Sequence, residues 1–249
     1  MIENRVKENG HIWWQDLKPN ILWYLVGLIA SDGCLSTDGR HIDITAKEFS
    51  YLELIKQCCK IPNKVGKKRN GKGEFVYRIQ LSSRSFYCFL TDLGLMPNKS
   101  KRLGELNIPK EFFHDFLRGV IDGDGGIRSW QHPKNGVEQW SLRIVSASKP
   151  FAEWLKKCCE DYFSVYGRIH GGVSEKSQLW VLKYGKLAAQ VLLSRCYYDD
   201  KALCLKRKAV MAKRCCAAER GWSTSKTIMK ARVAELADAR DSINGSALR

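Results

Sequence analysis

The sequence predicts an α+β protein made of two copies of one unit, each a helix, hairpin, helix, hairpin, helix carrying a four-stranded antiparallel sheet. Three observations predict it. The run Tyr24-Leu25-Val26-Gly27-Leu28-Ile29-Ala30-Ser31-Asp32-Gly33 returns as Phe116-Leu117-Arg118-Gly119-Val120-Ile121-Asp122-Gly123-Asp124-Gly125, an apolar helix reaching a small residue, then Asp, then Gly. After each copy, short strand-like segments alternate with turn residues. The order of elements then repeats, down to the paired cysteines Cys58-Cys59 and Cys158-Cys159.

Residues 1–18 form a lead whose Trp13 and Trp14 are expected to pack on the first half. Asn20 is the expected N-cap of the first motif helix. Gly27 and Ser31, like Gly119 and Gly123, stand four apart on one helix face, where small side chains let two backbones meet. Both helices are expected to stop at Gly33 and Gly125 in the left-handed conformation. Strands at 34–36 and 41–45 turn at Asp38-Gly39. Helical spacing covers 48–59, and a second hairpin, 64–69 with 75–81, turns at Asn70-Gly71-Lys72-Gly73. A helix over 85–93 ends at Gly94.

The segment 95–107 is a basic connector, and Pro109 suits the first turn of the second motif helix. The next hairpin flanks a turn-rich insertion at 130–139, with its return strand at 140–147. A helix at 151–162 and a hairpin of 166–170 with 179–183 around Gly171-Gly172 follow, then helices at 186–195 and 202–214. The expected organisation is therefore a lead (1–18), a first half with connector (19–107), a second half (108–214) and a tail (215–249), for which disorder is one reading.

The chain of 249 residues is 44% apolar, which suits a globular fold. Its 42 Lys and Arg against 26 Asp and Glu leave a net charge of +16, which points to a polyanionic partner. No apolar run approaches the ~20 residues of a membrane span. No signal-peptide pattern follows Met1, so an intracellular location, cytoplasmic or organellar, is expected. The ten cysteines include no C-x-x-C spacing, so neither zinc nor disulfides are expected, and they read as small buried hydrophobes.

Side-by-side parallel packing of the motif helices would bring Asp32 and Asp124 together at two negative helix ends. Such carboxylates repel unless a divalent cation lies between them. Oxygen ligands favour Mg²⁺, with Mn²⁺ a substitute, and backbone groups at Ser31 or Gly33 and at Gly123 are candidate further ligands.

The predicted strands carry Arg40, Lys64, Lys67, Lys68, Arg69, Lys72 and Arg78 in the first half, and Arg128, Lys134, Arg143, Arg168, Lys176 and Lys183 in the second. A two-stranded ribbon fits the major groove of double-stranded DNA, so Arg78, Gln80, Arg143, Arg168 and Gln178 are candidate base readers. For any single residue, phosphate contact is the commoner role. Two unlike halves in one chain suit an asymmetric duplex read by a monomer.

In these motifs the sequence resembles the LAGLIDADG homing endonucleases in their single-chain form with two motifs, over about residues 20 to 214. The resemblance implies two αββαββα halves related by a pseudo-twofold axis at the motif helices, their sheets forming a DNA-binding saddle. It implies an intron-encoded enzyme that hydrolyses both strands of a long duplex target across the minor groove and leaves cohesive 3′ extensions. Asp32 and Asp124 would be the metal-binding catalytic acids, one for each strand. Lys99 and Lys201, at corresponding places in the chain, would be the active-site lysines, with Lys101 and Lys206 as competitors.

The first motif departs from the pattern at Ala30, where the second keeps Asp122. The loss reads as that of a structural contact, although Asp122 as a third metal ligand stays open. Two alternatives to the endonuclease stand: an intron maturase binding structured RNA, and a non-cleaving DNA-binding regulator. An intein embedding is not expected, since Met1 opens the chain and no terminal His-Asn is present. In the tail, the run from Val233 to Asp241 resembles a leucine tRNA gene read as protein.

Overall fold

The structure, a computed structural model, describes residues 13–71, 73–174 and 177–219. Lys72, Lys176, the first part of the lead and the tail from residue 220, with its tRNA-like run, lie outside the described residues.

The first half runs α1 (Pro19–Ser31), β1 (Gly33–Leu35), β2 (His41–Ala46), α2 (Phe49–Cys58), β3 (Gly66–Arg69), β4 (Phe75–Ser82) and α3 (Arg84–Asp92). The second runs α4 (Phe113–Asp124), β5 (Gly125–Gln131), β6 (Glu138–Ser146), α5 (Lys149–Phe163), β7 (Arg168–Ser174), β8 (Ser177–Gly185) and α6 (Lys186–Cys196). A closing helix, α7 (Lys206–Ala217), continues three residues into the segment expected as tail. Each half holds one antiparallel sheet, in the order β1-β2-β4-β3 and β5-β6-β8-β7. The predicted α+β class and repeat are therefore present. Among the described residues no helix is long and apolar enough to cross a membrane.

The motif helices α1 and α4 pack at the centre with their backbones almost touching. A Cβ on Gly27 would stand 2.0 Å from the Phe116 carbonyl oxygen, and one on Gly119 would stand 2.2 Å from that of Tyr24. One turn further on, a Cβ on Gly123 would meet Ser31 Oγ at 2.0 Å. Even alanine at these positions would force the pair apart. Around this pair the core is continuous across both halves: Ile42, Ile44, Ile79 and Leu81 face it from one sheet, and Leu142, Ile144, Leu182 and Tyr184 from the other. Burying each such side chain fully contributes about 1.5–3 kcal/mol. Trp13 and Trp14 pack on the rings of Phe86 and Phe89 in α3.

Several local expectations are corrected. Helix α1 begins at Pro19 with Lys18 at the N-cap, not Asn20, because proline's fixed φ and missing N–H suit the first helical position. Neither Gly33 nor Gly125 is left-handed; Gly125 is extended at φ −82°. Glycine is needed there for space, since the chain turns from helix directly into strand across the helix's last turn. A Cβ on Gly33 would lie 2.6 Å from Ile29 Cα, and one on Gly125 would lie 2.5 Å from the Ile121 carbonyl oxygen.

The expected insertion at 130–139 narrows to a turn at 132–137 between β5 and β6, and Gly171-Gly172 lies inside β7 rather than at its turn. Gly171 pairs with Trp180, whose ring lies 3.0 Å from where a Cβ would be, so glycine makes room for an indole. All ten cysteines are free, and the buried-hydrophobe reading holds for Cys59, Cys158, Cys159, Cys196 and Cys215, whereas Cys58 and Cys204 are half-buried and Cys34, Cys88 and Cys216 exposed.

Candidate active site and nucleic-acid interface

Helix α1 delivers Asp32 at its C-cap and α4 ends on Asp124, so close packing of the helices brings the two acids together. Asp32 Oδ2 lies 3.3 Å from the Cβ position on Gly123, the residue before Asp124. Both acids keep solvent access, and each opens into a cavity. The Asp32 cavity, about 730 Å³, is walled by Thr45, Lys68 and Val76 of its own sheet and by Gly123, Leu205 and Arg207 of the other half. The Asp124 cavity, about 240 Å³, is walled by Val145, Ser146 and Leu179 of its sheet and by Ala30, Ser31, Lys99 and Leu103.

Protein packed around the acids raises both pKa values. Burial pushes Asp32 up, against the pull of Lys208, Lys99 and Arg207. Burial and then the charge of Asp32 push Asp124 up to about 6, opposed by Lys99 and Lys208. A divalent cation between them would relieve this strain. The donors fit such an ion, being carboxylate oxygens. Among the described residues no cluster of three His, Cys, Asp or Glu is present.

Lys99 is buried and donates from Nζ to the Ser31 carbonyl at 2.9 Å. Burial holds its pKa below the usual lysine range, while Asp124 pulls it up. Lys201, its expected counterpart, is exposed on the turn after α6, where its backbone N–H donates to Asp199 Oδ1. The place corresponding to Lys99 is held instead by Lys208 of α7. Its buried Nζ donates to the carbonyls of Ile121 and Asp122 at 2.6 Å and of Gly123 at 3.1 Å.

Burial pushes Lys208 down to about 8, against Asp122, Asp32 and Asp124. Each lysine thus caps the negative end of one motif helix. The sequence did hold a signal for this: Lys208, Ala212 and Cys215 form the buried stripe of α7 at helical spacing. Lys101 and Lys206 are exposed. Of the backbone groups considered as ligands, the carbonyls of Ser31 and Gly123 already accept from these lysines.

Both carboxylate oxygens of Asp122 are engaged within the protein. Its Oδ2 accepts from Tyr24 Oη at 2.8 Å and from the Leu205 backbone N–H at 2.7 Å, and its Oδ1 accepts from Tyr197 Oη at 2.6 Å. Tyr24 is in turn hydrogen-bonded to Tyr51. The acid anchors both halves to the segment after α6. Ala30, in the matching position, lines the smaller cavity instead.

Register sorts the basic residues. In the first sheet Ile42, Ile44, Ile79 and Leu81 face the core, so Asp43, Gln80, Thr45, Arg78 and Lys68 share the open face. Arg78 Nη1 lies 3.4 Å from Asp43 Oδ2, so its charge is partly spent. Lys67 and Arg69 point to the other face, over the Phe75 ring. Arg40 is half-buried in the first hairpin turn, while Lys64 and Lys134 are exposed outside the strands.

In the second sheet Arg143 pairs with Lys183, and Lys183 with Arg168, so three cations cross the open face in one row. Arg128 shares that face, opposite Ser141. Gln178 does not: it lies in register on the side of Trp180 and Leu182. Like charges in direct opposition destabilise a sheet, and they invite an anion.

Two αββαββα units joined through glycine-bearing helices, each ending in an aspartate, are the LAGLIDADG homing-endonuclease fold in its two-half, single-chain form. The homing endonuclease I-WcaI, solved bound to its DNA recognition sequence, is similar with a TM-score of 0.56 at 14% identity, over 79% of this chain and 87% of that one. I-DmoI in complex with DNA and Ca is similar with a TM-score of 0.51 at 15% identity, over 79% and 98%. Full-length DUF199/WhiA from Thermatoga maritima is similar with a TM-score of 0.52 at 16% identity, over 92% and 69%. No protein-family model matches the chain, and no curated protein matches it.

Proposed function

We propose that this chain is a site-specific DNA endonuclease that hydrolyses one phosphodiester in each strand of a long asymmetric duplex. The observation that carries the reading is the juxtaposition of Asp32 and Asp124 at the floor between two open sheet faces, one of them lined by Arg143, Lys183 and Arg168. DNA bound in the solved I-WcaI and I-DmoI structures supports the same partner here.

Asp32 and Asp124 would hold Mg²⁺, or Mn²⁺ in its place. When bound, the ion supplies charge neutralisation at the phosphate and activation of the attacking water. The chain's own groups do the rest. The cationic row orients the backbone and fixes its register. Lys99 and Lys208 keep positive charge close to the scissile phosphate while bracing the helix ends that aim the two acids. The reading accounts for two acids left facing each other at some cost to the fold, which a purely structural site would not retain.

The test is cleavage selection from a randomised duplex library with the full chain and Mg²⁺, beside the D32N/D124N double variant. The expected result is cutting at one long asymmetric site by the wild type alone. Selective binding without cutting by either protein would instead place the chain with non-cleaving DNA binders of this fold.

A further inference from the structure

We propose that Trp130 is a base reader of the second sheet, packing its indole against the 5-methyl group of a thymine in the major groove. The inference rests on the DNA-binding reading above and adds a specificity-determining contact to it. Alternation along β5 fixes the direction of the side chain. Ile127 pairs with Leu142 and packs on the core, so Arg128 and Trp130 point the opposite way, paired with Ser141 and Gln139. That is the open face, shared with Arg143 and Lys183.

Trp130 is 43% exposed, and among the described residues it joins no ring contact of the core. A large indole presented on a face of cations and amides is surface held ready for a partner. The cations beside it select a polyanion, and the groove of a duplex offers an apolar ring one apolar feature, the thymine methyl.

The spacing adds a positional claim. Same-face residues on a strand advance about 6.8 Å per pair of residues. Base pairs advance about 3.4 Å. Trp130 therefore meets the base pair about two steps beyond the one facing Arg128, outward from the cleavage centre.

The experiment selects bound duplexes from a randomised library with the full chain in Ca²⁺, for the wild type, Arg128→Ala and Trp130→Ala. Trp130→Ala is expected to erase a thymine preference at one position, about two base pairs outside any position whose preference Arg128→Ala weakens. Replacing that thymine by deoxyuridine removes only the methyl, and it is expected to weaken wild-type binding about fourfold, the worth of one buried methyl, while leaving Trp130→Ala unchanged. A thymine preference that survives in Trp130→Ala, or equal wild-type binding to thymine and deoxyuridine, overturns the assignment and leaves the DNA reading intact. If the wild type selects no duplex at all, the DNA reading falls and the assignment falls with it.

Discussion

Asp124 has a proton affinity set by its neighbours. Burial and the Asp32 charge raise its pKa to about 6, above the ordinary carboxylate value of 3.8. The folded protein therefore holds that proton more tightly than the unfolded chain does. Stability from this group is fully present below about pH 4 and is lost as pH rises through 6. In EDTA, Asp124→Asn is expected to melt a few degrees above the wild type at pH 7.5, with the gap closing toward pH 4, as read by thermal denaturation across pH. Added Mg²⁺ should narrow the gap from the wild-type side.

The lysines give a second comparison. Lys208→Met removes a buried donor to the last turn of α4 and is expected to lower the cleavage rate about 10- to 100-fold. Lys201→Met, on an exposed turn, should leave the rate unchanged. Single-turnover cleavage of the selected site checks both, and equal losses would remove Lys208 from its assigned place.

Among the elements, the two sheets share a topology but not a charge pattern. The first pairs Arg78 with Asp43 and sets Gln80 beside them, whereas the second lines up Arg143, Lys183 and Arg168 without an acid in their row. The second sheet should therefore carry more of the phosphate binding. Lys183→Gln is expected to reduce the slope of log K against log salt by about 1, with sequence preference largely kept. Arg78→Gln should change the slope less, since Asp43 already neutralises part of that charge. Salt titrations of binding to the selected duplex decide between them, and equal slopes would contradict the division.

At the scale of the molecule, a few polar side chains tie the halves and the closing segment together. Asp122 gathers Tyr24 from α1, Tyr197 after α6 and the Leu205 amide before α7. Fully buried Arg118 donates to Asp115, to the carbonyls of Cys196 and Leu203, and at 3.5 Å to that of Asn20. These contacts hold α7 against α4 and so deliver Lys208 to the site. The motifs are unequal at this position: Asp122 grips the segment after α6, while Ala30 lines a cavity with Lys99 and Leu103 of the connector.

The doubled motif, the order of elements and the two acids were legible in the chain because they are written locally. Helical spacing put Gly27 with Ser31 and Gly119 with Gly123, and those small residues implied the close helix pair that the backbone contacts bear out. Most strand positions were legible too, within a residue or two, from alternation and turn residues, but β7 runs four residues past its expected end at 170. What a glycine does was not: Gly33 and Gly125 serve tight backbone approach, and Gly171 makes room for the Trp180 ring, contacts that only folding creates.

Nor could composition separate Lys68 from Lys67, or Lys183 from Gln178. A one-residue choice of register sends a side chain to the other face of the sheet. Helical spacing put Lys208 on the buried stripe of α7, but its meeting with the end of α4 is long-range packing that no local pattern encodes. Local periodicity fixes which residues share a face, while the encounter of distant faces depends on how the whole core closes.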